Sequence, residues 1–144
     1  MKPTTKLLFK ALILEYVLAF ISVFIGIIVT GADSFSDFSA ILFHLAIPAL
    51  VGFLSSAAII YHIGAYIHLK RPSKSFYMVI GIFLMFVLLT VSVLMGTLTL
   101  RILFENSTDN FRYLNTLLIF YVFGGVQTFF VGLWLGVKLN QLLK

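Results

Sequence analysis

The sequence predicts an all-α fold: a polytopic integral membrane protein, one four-transmembrane-helix bundle over residues 1–144, with N and C termini cytoplasmic. Three observations predict it. Long apolar runs over residues 7–30, 40–69, 76–100 and 113–137 take up nearly the whole chain. Each can cross a hydrocarbon core of about 30 Å as a helix, which needs about 20 residues. Second, 61% of residues are hydrophobic and only 10% charged, with a mean hydropathy of +1.12. A soluble domain lies nearer about 45–50% and 25%. Third, eight of the ten Lys and Arg residues fall on one side of the spans: Lys2, Lys6, Lys10, Lys70, Arg71, Lys74, Lys138 and Lys144. Only Arg101 and Arg112 fall on the other. The positive-inside rule then puts both ends in the cytoplasm, and the bacterial inner (plasma) membrane is the expected location.

The first helix is expected over about residues 5–30, with Thr4 or Thr5 in its N-cap region and Thr30-Gly31 at its end. It is longer than a signal-peptide core of about 7–15 residues, and Glu15 interrupts it, so it reads as a membrane span. The connection Gly31-Ala32-Asp33-Ser34 is rich in turn residues. The second helix covers about 39–69 with a break at Pro48, which is expected to kink it or to separate a surface turn from the span proper. Pro72, in the short Arg71-Pro72-Ser73 connection, keeps that helix from continuing. The third helix covers about 75–104. The polar run Asn106-Ser107-Thr108-Asp109-Asn110 is the clearest loop, and its first three residues form a glycosylation sequon on the outer side. The fourth helix covers about 111–139. Phe35, Phe38, Phe111 and Tyr113 mark the outer interface, and Tyr66, Phe76, Tyr77 and Trp134 the inner one.

Several function classes drop out. The chain has no cysteine, so disulfides, thiolate metal sites and cysteine nucleophiles are absent. The net charge of +5 does not indicate nucleic acid, because the basic residues sit at span ends without interleaved exposed aromatics. No HExxH, GxSxG or P-loop occurs, so no catalytic residue is assigned and an enzyme is not expected.

What remains lies in the spans. Gly124, Thr128, Gly132 and Gly136 recur at every fourth residue and form a stripe of small side chains. Such a stripe lets another helix approach closely, and close packing drives association in lipid. It serves packing within one bundle, the first reading, or a subunit interface. Gly52 and Ser56 repeat the pattern in the second helix, and Ser92 and Gly96 in the third.

Glu15 is the one acidic residue inside a span. Its position just past Lys10 puts it near the cytoplasmic interface, where it is expected to snorkel or pair with Lys10 or Lys74. The functional alternative groups Glu15, His62 and His68 in one leaflet, with Gln127 in mid-membrane, as an ion or proton path. The histidines also raise haem b. His62 and His68, however, stand about 240° apart around one helix and cannot ligate one iron from one face. No cofactor is expected, and haem b stays the lesser alternative.

Three functional expectations follow. The first is a protein that works by helix association, as a homo-oligomer or with other membrane subunits as an accessory component of a larger complex in the lipid bilayer. The second is an oligomeric channel or transporter for an ion or small solute, since four helices of this size rarely enclose a pathway alone. The third is a haem-b-binding electron-transfer subunit.

Overall fold

The chain forms four α-helices: α1 (Pro3–Thr30), α2 (Phe35–Lys70), α3 (Tyr77–Phe104) and α4 (Asn110–Leu142). The computed structural model describes residues 2–30, 35–70, 76–104 and 110–143, and within them the side chains of residues 2–25, 44–67, 76–103, 118, 121–122 and 124–143. No strand occurs among the described residues. Asp33, Lys74, the Arg71-Pro72-Ser73 connection and the sequon lie outside them, as do the side chains of Asp37 and His68. Three segments are long and apolar enough to cross a membrane: Pro3–Ile25, His44–Ile67 and Tyr77–Leu103.

The bundle has its chemistry reversed relative to a water-soluble one. Thr4, Thr5, Glu15, Ser56, Thr97 and Thr128 are buried, while Ile13, Val17, Phe83, Ile102 and Phe130 are exposed. Water would penalise that apolar sheath, whereas lipid tails solvate it. In lipid, helices hold together through close packing and polar contacts rather than through burial of apolar area. The interior still carries an apolar centre, in which Leu8, Leu12, Ile60, Met85, Leu88 and Leu135 are almost fully enclosed. On α1 the inward positions are Leu8, Ala11, Leu12 and Glu15, offsets of three, four and seven that put one helical face against the bundle.

The start of α1 differs from the sequence expectation. Pro3 takes the first helical position, where its missing N–H costs nothing. Thr4 is therefore inside the helix, and its hydroxyl donates to the Gly64 carbonyl on α2 at 3.0 Å. A methyl built on Gly64 would stand 2.6 Å from Thr5 Oγ1, so the absence of a side chain there lets α1 lie against α2.

The break expected at Pro48 is absent: α2 continues through it as one helical segment. Pro48 removes one rung of the backbone ladder, but neighbouring helices make such a proline tolerable in a membrane span. Gly96 of α3 packs beside it, where an added methyl would lie 3.2 Å from the Pro48 carbonyl oxygen.

The tightest seam joins α3 and α4. A methyl built on Gly81 would stand 2.5 Å from both the Gly132 carbonyl oxygen and the Gly136 nitrogen. One built on Gly136 would stand 2.6 Å from the Met78 Cα, and one on Gly132 2.7 Å from the Ile82 Cα. Backbone meets backbone along this line, and only glycine allows it.

Candidate functional site

The helix-four stripe divides between two jobs. Gly132 and Gly136 face α3 of the same chain, as the seam requires. Gly124 meets the tip of Leu89, also on α3, at 2.9 Å from an added methyl. Thr128, the polar member of the series, is fully buried and turns its hydroxyl toward α1. It donates to Oε1 of Glu15 at 2.5 Å.

That bond turns Glu15 into the bundle, where the sequence suggested a side chain that snorkels or pairs with a lysine. The carboxyl is 6% exposed, inside the bundle, and Lys10 is exposed on the outside. Along α1 Glu15 stands twelve residues after Pro3 and fifteen before Thr30, near the middle of that helix.

Around Glu15 the four helices leave a cavity of about 350 Å³. Its walls are mostly aliphatic, with Leu12, Val23, Leu45, Leu88 and Leu100 among them. Polar groups reach it from three helices. Tyr16 on α1 hydrogen-bonds Ser92 on α3 through their hydroxyls. Gln127 on α4 donates its amide to the Ser22 hydroxyl on α1. Glu15 lines the same space, and its second oxygen, Oε2, is buried without a hydrogen-bond partner. None of the described residues lining the cavity is Lys, Arg or His.

Gly52 and Ser56 support this site from behind. A methyl on Gly52 would stand 2.7 Å from the Ser92 carbonyl oxygen and 3.0 Å from the Tyr16 hydroxyl, so a side chain there would push into the Tyr16–Ser92 pair. Ser56 donates to the Leu88 carbonyl at 3.2 Å and holds α2 to α3 a turn further on. Phe53 meets the Tyr16 ring edge-on at 5.1 Å between centroids and fixes its direction.

The structure thus brings together Glu15, Thr128, Gln127 and Gly124 of the sequence candidates, and it sets His62 apart. His62 is exposed on α2, its ring edge-on to the exposed Tyr61 at 5.7 Å, and it does not line the cavity. The His68 side chain lies outside the described residues. His44 is exposed as well and does not line the cavity. Among the described residues no group of three or more His, Cys, Asp or Glu is arranged to hold a metal ion.

Sequence reasoning missed Ser22 and Gly81. A lone serine or glycine in an apolar span sets up no periodic pattern. The available signal for Ser22 was weak: a hydroxyl on the same helix as Glu15, seven positions on and so on the same face.

Fold and site together define a class: an all-helical protein with three helices long and apolar enough to cross a membrane, and between its helices a cavity whose wall carries a buried carboxyl group. No protein-family model, curated protein or solved structure matches the chain.

Proposed function

We propose that this is a four-span protein of the bacterial inner membrane, with both termini cytoplasmic, that binds a small solute inside the bundle and passes it across the membrane. The orientation rests on the distribution of Lys and Arg. The observation that carries the function is the cavity, where one carboxyl, one amide and a few hydroxyls stand in a mostly apolar wall. Small-molecule sites have this composition, a largely apolar enclosure of about 300–1,000 Å³ with a few placed polar groups. An ionisable group within a membrane span is expensive, and its usual use is a solute or proton pathway. A second copy of the chain, or another membrane subunit, completes the pathway.

The association reading ranks second for a specific reason. Its main support was the helix-four stripe, and Gly132 and Gly136 are used up against α3 of the same chain. Haem b ranks third, because axial imidazoles must face a common space, whereas His44 and His62 are exposed on α2.

The test is uptake of a panel of radiolabelled small amines, alcohols and carboxylates by proteoliposomes of the full chain. Saturable uptake that falls in Glu15→Gln and Gln127→Leu, with assembly unchanged by native mass spectrometry, supports the proposal. Uptake no faster than empty liposomes across the panel, or undiminished in both variants, overturns it.

A further inference from the structure

The cavity states what its ligand must bring. Its one charged-type group, Glu15, uses Oε1 to accept from Thr128 and has no partner at Oε2. A carboxyl in an apolar wall either keeps its proton or ionises beside a cation; none of the described lining residues supplies that cation, so a guest that ionises Glu15 must bring it. The remaining polar atoms near the cavity favour a donor-rich guest. Gln127 spends its N–H on Ser22, which leaves its carbonyl oxygen as an acceptor. The Tyr16 and Ser92 hydroxyl oxygens have further lone pairs to offer. Tyr16 and Phe20 add aromatic rings, whose faces attract cations. The aliphatic remainder of the wall suits an apolar body. No acidic guest fits, since it would face Glu15 without a countercharge.

We infer that the cavity is a binding site for a small hydrophobic amine in its ammonium form, with Glu15 as counter-ion and Gln127 and the Tyr16–Ser92 pair as further acceptors. The inference rests on the solute-binding reading above and names its ligand class. Two sources share this chemistry, a free amine and the ammonium of an aminophospholipid headgroup.

The test uses the full chain in phosphatidylcholine nanodiscs, with phenethylammonium as probe and 2-phenylethanol as its uncharged counterpart of similar size. The wild-type protein is expected to bind the ammonium at least about tenfold more tightly than the alcohol, because hydrogen bonds to an ionised partner are the strong ones. Glu15→Gln is expected to erase that preference. Ala19→Phe, which narrows the cavity, is expected to weaken both probes together. Equal binding of the two probes by the wild type, or an undiminished preference in Glu15→Gln, overturns the ammonium inference and leaves the cavity reading standing. Binding of neither probe overturns both. The two-probe comparison needs no variant, so it decides the matter even where Glu15→Gln fails to fold. Adding phosphatidylethanolamine separates the sources: competition with the probe assigns the site to a lipid-borne ammonium, and no competition assigns it to a free amine.

Discussion

The Thr128 hydroxyl on α4 donates to Oε1 of Glu15 on α1, joining residues 113 apart in the chain. Both side chains are buried, and the bond is the one the protein itself provides to the carboxyl. Thr128→Val keeps the shape and removes the donor, so the carboxyl is left without any partner. An unsatisfied buried polar group costs about 1–3 kcal/mol, and thermal melting in detergent should show a loss of that order. Thr128→Ser should recover most of it. A Thr128→Val protein as stable as the wild type would show that the bond contributes nothing.

The packing of α4 on α3 makes a sharper contrast between two glycines of α4 eleven residues apart, Gly125 and Gly136. Gly136→Ala drives its methyl to 2.6 Å from the Met78 backbone, which cannot yield as a side-chain tip can. Overpacking of this kind costs about 1–3 kcal/mol. Gly125→Ala meets nothing closer than the Phe86 ring at 4.0 Å and should be neutral, or stabilising by up to about 1 kcal/mol through helix propensity. The melting temperatures of the two variants should therefore move in different directions. Equal shifts would mean the seam is looser than described.

Tyr16 and Ser92 lend themselves to a double-mutant cycle. Their hydroxyls bond each other across α1 and α3, so Tyr16→Phe and Ser92→Ala should each destabilise. The pair together should cost less than the sum by about 0.5–1.5 kcal/mol. Strict additivity would remove the bond from the account of how α1 is held.

Topology has a direct check, because the chain contains no cysteine to remove. Single cysteines at Ser107 and Ser73 should label oppositely with a membrane-impermeant maleimide on intact cells. Ser107→Cys is expected to react from outside and Ser73→Cys only after the membrane is opened. The reverse pattern would invert the proposed orientation.

The reading of the sequence was accurate on what repeats and inaccurate on what depends on a neighbour. Three spanning-type helices and the small-residue stripe come from runs and periods within one segment, and those are written locally. Which backbone the stripe meets is not local. Gly132 and Gly136 announce a close approach, but the reply comes from Gly81, a single glycine without a pattern of its own. Glu15 was expected to snorkel or pair with a lysine, whereas its partner is Thr128 on another helix, which nothing near it in sequence announces. Pro48 was expected to divide α2, and the carbonyl contact with Gly96 that accompanies its continuous passage lies 48 residues away in sequence. Of the cavity, Glu15, Thr128 and Gln127 were each visible, but their convergence needed the α1–α4 contact, which no periodicity encodes.

The long sequence separation of Glu15 and Thr128 also bears on biosynthesis. Thr128 leaves the ribosome 113 residues after Glu15. At about 5–20 residues per second, that interval is roughly 6–23 s. Throughout it the first helix has left the ribosome with an acidic side chain whose native partner does not yet exist. Three of the groups that later hold α1, at Gly64, Ser92 and Gln127, are likewise translated after it. The first helix made is thus the last to be fully docked, and during that wait it depends on the insertion machinery, or on water at its edge, for what the finished bundle supplies.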